Sequence, residues 1–224
     1  MWKLRRSIIS GIVTLAYAMP VPLIRFLRKG YRQLRPLADY GIAGIGLLIT
    51  LPVSIVIGMV IKITSSGPVF YTQIRVGKNG RLFHIIKFRT MCVDAESQTG
   101  PVWTKNNDSR ITVVGRFLRK THLDELPQLI NVLKGDMSII GPRPERPYFV
   151  DKFKDKIYGY TSRMSVKPGI TGLAQCYYKY DETLYDVRRK LRYDILYIRK
   201  MCWMLDMKII WRTVNVSLLG GRVR

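Results

Sequence analysis

The chain begins with two apolar blocks and continues as mixed, strongly basic sequence. Ser7 to Ile24 contains no charged residue and follows Lys3, Arg5 and Arg6. With Ala16-Tyr17-Ala18 inside it, the block has the pattern of a secretory signal carrying a small-residue cleavage site. That reading is set aside, because cleavage would export a basic domain with free thiols and because a longer apolar block follows at once. Gly41 to Ile61 is uncharged over 21 residues, enough for a helix of ~30 Å at ~1.5 Å per residue. A plain spanning helix is the ordinary product of such a run. Two features point elsewhere. Pro52 sits in the middle, where it removes a backbone hydrogen bond and clashes with the preceding turn. Arg25, Arg28, Lys29, Arg32 and Arg35 precede the block and Lys62, Arg75, Lys78 and Arg81 follow it, whereas a spanning helix collects its positive charge on one side. The pattern predicts a re-entrant helix–break–helix over 39–63 that enters and leaves through one leaflet. The hydroxyls of Thr50 and Ser54 lie close enough to help satisfy the freed backbone groups. This divides the chain into an apolar and basic segment (1–38), the membrane helix (39–63) and a cytoplasmic domain (64–224).

The polar part reads as α+β and mostly helical. After the turn Ser65-Ser66-Gly67-Pro68, Val69–Val76 and Leu82–Phe88 are β-rich runs joined through Lys78-Asn79-Gly80, a strong hairpin signal that brings Arg75, Lys87 and Arg89 near one another. Residues 94 to 110 read as a polar loop, and Arg116 to Lys120 as a basic helical stretch. In Thr121 to Gly135, Leu126, Ile130 and Leu133 recur at helical spacing, and Gly135 suits a stop. Pro127 is tolerated only in a first helical turn, which places the helix start near Leu123. Asp124 and Glu125 then stand at a positive helix terminus, where position alone gives carboxylates a capping role. Gly141-Pro142-Arg143-Pro144-Glu145-Arg146-Pro147 is a stiff loop presenting Arg143 and Arg146, a form of guanidinium suited to phosphate. Lys167-Pro168-Gly169-Ile170-Thr171-Gly172 is a second tight loop, and 182–200 a basic helix. Trp203, Met207, Trp211, Val214 and Leu218 form a stripe at helical spacing, the mark of a core face or of an amphipathic helix at a membrane interface.

Charge narrows the partners. The 224 residues include 38 Lys and Arg against 15 Asp and Glu, a formal net charge of +23, which favours phosphate-bearing partners. Nucleic acid is one such partner, but there is no recognition helix or base-stacking motif, and nucleic acid leaves the apolar block unexplained. Cys92, Cys176 and Cys202 are odd in number and widely spaced, which fits a reducing compartment better than a disulfide framework. There is no P-loop, no GxGxxG and no zinc-ligand spacing, and neither His84 nor His122 belongs to a recognisable triad.

Six short motifs then occur in order: Pro68-Val69-Phe70, Val76-Gly77-Lys78-Asn79-Gly80, Lys87-Phe88-Arg89-Thr90-Met91, Leu123-Asp124-Glu125-Leu126-Pro127-Gln128, Gly141-Pro142-Arg143-Pro144 and Lys167-Pro168-Gly169-Ile170-Thr171-Gly172. From about Asp39 to the C-terminus the chain resembles the bacterial sugar transferase family, the monotopic polyprenyl-phosphate phosphoglycosyl transferases. The resemblance implies a re-entrant membrane helix broken at Pro52, an Asp-Glu catalytic dyad at Asp124 and Glu125 that also holds Mg2+, and a nucleotide-diphosphate-sugar donor. It implies an undecaprenyl phosphate acceptor, membrane lipid as surroundings, and an active site on the cytoplasmic face of the bacterial inner membrane. Lys87, Arg89 and Arg143 match the family's basic motifs, and Arg146 joins them as a candidate phosphate ligand. Homo-oligomer formation is left open, and a non-catalytic organiser of a glycan-assembly complex is the alternative reading. Two positions depart from the family pattern: Leu51 stands where Ser often precedes the proline, and His122 where Ser or Thr is common.

Overall fold

Apolar side chains around a helix need somewhere to go, and the long N-terminal helix divides them between two destinations. The computed structural model describes residues 21–95, 100, 108–177 and 183–218, with side chains described between 29 and 215. Most of the apolar block Ser7 to Ile24, most of the 94–110 loop, the first residue of the expected 182–200 helix and the last six residues lie outside the described residues. Helix α1 (Val21–Thr64) is continuous over 44 residues and includes both Pro36 and Pro52. The expected boundary between 38 and 39 falls inside it, and helical structure runs through Pro52 where a break was expected. A proline removes only one bond of the ladder, and the turns on either side carry the helix across. Thr50 does engage the backbone, its Oγ1 donating to Gly46 O at 2.7 Å, a back-bond of the kind that bends helices.

One face of α1 packs on the rest of the chain along its length. Tyr31, Ala43, Ile57 and Ile61 are buried, and Gly46 lets Leu129 approach closely. The opposite face carries Leu37, Leu48, Ile49 and Ile63, between 66% and 84% exposed and all apolar. Among the described residues, α1 contains the one helix stretch long and apolar enough to cross a membrane.

The hairpin forms as its Asn-Gly signal requires. Strands β1 (Phe70–Val76) and β2 (Leu82–Phe88) are antiparallel with Tyr71 opposite Lys87 and Arg75 opposite Phe83, so Arg75 and Lys87 project from one face. Asn79 and Gly80 both take positive φ in the turn. Helix α2 (Val113–Thr121) begins with Thr112 capping Gly115 N. A 3-10 turn, Leu123–Glu125, and the short α3 (Gln128–Leu133) follow. Buried Asn131 on α3 ties it to the hairpin: its Oδ1 accepts from Ile86 N at 2.9 Å and its Nδ2 donates to His84 O at 2.7 Å.

Strands β3 (Ser138–Ile140) and β4 (Gly169–Thr171) pair in parallel, so the second expected loop contains a short strand. The pairing brings Gly141 and Gly169 into backbone contact, and a Cβ on Gly169 would lie on Gly141 N. Between them run α4 (Pro147–Lys154) and a 3-10 segment, Tyr160–Ser165. Then come α5 (Leu173–Tyr177), α6 (Leu184–Lys200), opened by a Thr183–Asp186 capping box, and α7 (Trp203–Leu218). In α7, Leu205 and Ile209 enter the core, while Trp203, Met207, Trp211 and Val214 of the stripe are exposed. The stripe is an outward apolar face and not a core face.

Asn131→Ala leaves two partly buried backbone groups of β2, Ile86 N and His84 O, without their Asn131 partner. It is expected to lower stability by about 2–4 kcal/mol in urea unfolding in mild detergent; a loss under about 0.5 kcal/mol contradicts this role.

Candidate active site

Asp124 and Glu125 owe their position to the residues on either side. His122 ends α2 in the left-handed region (φ 59°, ψ 14°) and turns the chain. Pro127 has no N–H for the carbonyl of Leu123, and Leu126 N takes that acceptor instead in a 3-10 bond of 3.3 Å. The α-helix proper therefore starts at Gln128, later than the expected start near Leu123, and the two carboxylates lie in the tight turn before it.

Two segments converge on Glu125. Lys87 Nζ, from the end of β2, donates to Oε1 at 2.6 Å. Arg143, from the proline-bracketed loop, donates to Oε1 through Nη2 at 2.6 Å and to Oε2 through Nη1 at 3.3 Å. Asp124 is buried, and no hydrogen bond or ion pair from the described residues reaches its carboxylate. The electrostatics divide the two acids accordingly. Burial pushes the Asp124 carboxyl above the ordinary carboxylate range, with Lys87 opposing and the Glu125 charge adding. Burial acts the same way on Glu125, but Arg143 and Lys87 together outweigh it and hold that carboxyl well below its usual value. Burial also pulls Lys87 down, against the pull of Glu125. Two adjacent acids with opposite proton affinities are the arrangement from which separate chemical roles arise.

Of the expected cations, Lys87 and Arg143 join the dyad and Arg89 does not. Strand alternation ends at Phe88, and Arg89 turns to the foot of α1, donating from Nη2 to Ser65 O at 2.9 Å and Ser65 Oγ at 2.8 Å. It fastens the end of α1 to the hairpin. Arg146 stands at the start of α4, where its charge acts on Arg75. Pro52 is distant in role, a feature of α1 alone. Sequence reasoning missed Arg119. It is held by Thr90, with Nε donating to Oγ1 at 2.8 Å, and its charge acts on Asp124. The signal was available: Val114 and Leu118 mark the inward face of α2, and Arg119 borders it.

Residues 30–220 match the family described as bacterial sugar transferase. The chain belongs to the bacterial sugar transferase family. Over 206 residues it is 41% identical to a UDP-N-acetylgalactosamine-undecaprenyl-phosphate N-acetylgalactosaminephosphotransferase of Aeromonas hydrophila, covering 92% of this chain and 47% of that protein. It is 43% identical over 197 residues to a UDP-glucose:undecaprenyl-phosphate glucose-1-phosphate transferase of Klebsiella pneumoniae, covering 87% of this chain and 42% of the relative. A putative undecaprenyl-phosphate N-acetylgalactosaminyl 1-phosphate transferase of Bacillus subtilis is 50% identical over 134 residues, covering 60% of this chain and 74% of the relative. The chain thus spans about half the length of the first two of these relatives.

Among the described residues of this sugar transferase, no three His, Cys, Asp or Glu side chains gather to cage a metal. Two neighbouring carboxylates nonetheless fit a hard divalent cation that takes its other oxygens from a diphosphate and water. Asp124 has both oxygens available for that purpose, while Glu125 already accepts from two cations.

If Asp124 must be ionised to react, kcat/KM falls on acidification through a midpoint above the ordinary carboxylate value of about 3.9. Glu125, held low, stays ionised through that window. Lys87→Met removes the strongest influence lowering Asp124 and is expected to move the acidic limb to higher pH. A limb that stays in place or moves down contradicts the assignment.

Proposed function

We propose that this protein transfers a sugar-1-phosphate from a nucleotide-diphosphate sugar to undecaprenyl phosphate, with Asp124 as nucleophile. The observation that carries the reading is the buried Asp124 carboxylate, without a partner among the described residues, beside a Glu125 that takes both neighbouring cations. The names of the relatives support the substrate class.

In the first step an Asp124 oxygen attacks the phosphorus that bears the sugar. An aspartyl O–P bond forms, the diphosphate P–O bond breaks, and the bridging oxygen leaves with its electron pair on the nucleoside monophosphate. In the second step an oxygen of the carrier phosphate attacks the same phosphorus, the aspartyl O–P bond breaks, and Asp124 is regenerated as polyprenyl-diphosphate-sugar departs. A carboxylate approaching an anionic diphosphate needs positive charge around the phosphoryl oxygens. Lys87, Arg143 and Arg119 are disposed about the dyad to provide it. Asp124 and Glu125 would hold Mg2+, which supplies further charge neutralisation on the diphosphate when bound.

The site belongs at a membrane boundary on this reading. A helix crossing a bilayer as a free rod needs about 20 residues clear of polar protein. In α1 the packed positions Tyr31, Ala43, Gly46, Ile57 and Ile61 recur at closer intervals, and its exposed residues from Gly41 to Val60 are apolar. That supports α1 dipping into one leaflet with both ends on the cytoplasmic face of the inner membrane, bending near Pro52. The exposed face of α7 then lies in the interfacial region, where tryptophan side chains are favoured.

Asp124→Asn is expected to abolish release of UMP from UDP-sugars, with and without undecaprenyl phosphate, while the protein still fractionates with membranes. Wild-type turnover in that variant refutes the nucleophile. Excess EDTA is expected to stop turnover, and unchanged rates remove the metal from the scheme. A non-catalytic organiser binds lipid and releases no UMP in any form.

A further inference from the structure

Pro142 and Pro144 have no N–H, and the loop that carries Arg143 is held by its carbonyl groups instead. Ile140 O accepts from Arg35 Nη2 of α1. Pro142 O accepts from Gly169 N at 3.0 Å, and Glu145 O from Val76 N at 2.9 Å. Pro144 O accepts from Arg75 Nη1 at 3.1 Å. Arg143 O itself accepts from Arg163 Nη2 at 3.0 Å. These five carbonyls, of the loop and of the strand end before it, are met by donors from four parts of the chain: α1, β1, β4 and the 3-10 segment.

Arg163 is the anchor on the residue that matters. Its side chain is only 10% exposed, and its charge is matched by Asp194 of α6, 2% exposed, at 2.9 Å. The other end of the fork, Nη1, donates to Tyr160 OH at 3.0 Å and lies 3.6 Å from Glu145 Oε1. A buried ion pair adds little stability over apolar groups of the same volume. What this pair supplies is a fixed orientation: a planar guanidinium that joins helix α6 to the backbone of the loop.

We propose that Arg163, held by Asp194, is a positioning residue that sets the backbone at Arg143 and so aims its guanidinium at Glu125 and the donor diphosphate. The proposal rests on the reading of Arg143 as a diphosphate-binding cation. Lysine at 163 keeps the charge for Asp194 but has no planar fork to reach the Arg143 carbonyl at the same time. Arg163 also lines an open cleft beside the loop, together with Pro142, Arg143 and Glu145, so direct contact with substrate is the competing role.

The test compares Arg163→Lys in the full chain with the same substitution in an Arg143→Ala background. UMP release from UDP-glucose and UDP-N-acetylgalactosamine, with undecaprenyl phosphate, is read beside hydrogen exchange of residues 141–146. Arg163→Lys is expected to lower kcat/KM by roughly ten- to a hundredfold, to have no further effect once Arg143 is gone, and to raise exchange over 141–146. Asp194→Asn is expected to act in the same direction and carries the comparison if Arg163→Lys does not fold. An equal loss in both backgrounds, or unchanged exchange, overturns the proposal. If the wild type releases no UMP, the functional reading fails, while the exchange measurement still decides the positioning role.

Discussion

One carboxylate shared by two cations governs the site. Glu125 accepts from Lys87 and Arg143, each at 2.6 Å, and so joins the hairpin, the turn before α3 and the loop after β3. Separating any of these groups would leave a half-buried charge without a partner, which is far more costly than the pair is stabilising. With both cations committed to Glu125, Asp124 keeps its oxygens unpaired by the described residues, in a buried position that disfavours its charge. A carboxylate left in that condition is poorly solvated and surrounded by positive potential, which suits attack on an anionic phosphoryl group.

The rest of the fold keeps this arrangement in place. Asn131 fastens α3 to β2 from within, so that Lys87 and the 3-10 turn keep their register. The loop bearing Arg143 is anchored from α1, β1, β4 and the 3-10 segment after α4. Helix α1 is itself tied to this body at both ends: Tyr31 OH donates to Asp206 Oδ2 at 2.6 Å near one end, and Arg89 holds Ser65 just past the other. On the proposed reading, a helix with an apolar outer face and the body fastened along its inner face delivers the site to the surface of a bilayer.

Much of this was legible in the chain. The Asn79-Gly80 turn between alternating runs carries its own hairpin geometry, the basic stretch 182–200 became α6 from Leu184 onward, and the stripe from Trp203 to Leu218 lies on α7. Elsewhere the outcome departed from the local signals. Pro127 displaced the helix start because Leu126 N found the Leu123 carbonyl first. Arg89 was drawn to Ser65 because β2 ends one residue before it, and Arg119 entered the site through packing of Val114 and Leu118. The stripe on α7 faces outward because Leu205 and Ile209 fill the core. Helix α1 runs through Pro52 because a proline inside a long helix removes a single bond of its ladder.

The central claim is that Asp124 becomes covalently joined to the phosphosugar. Incubating the protein in mild detergent with isotopically labelled UDP-sugar in the absence of carrier lipid, quenching, and mapping peptides by mass spectrometry tests it directly. The account predicts a phosphosugar adduct on the peptide that contains Asp124, discharged when undecaprenyl phosphate is added. Label found only on another peptide, or turnover with no protein-bound label at any time, contradicts it.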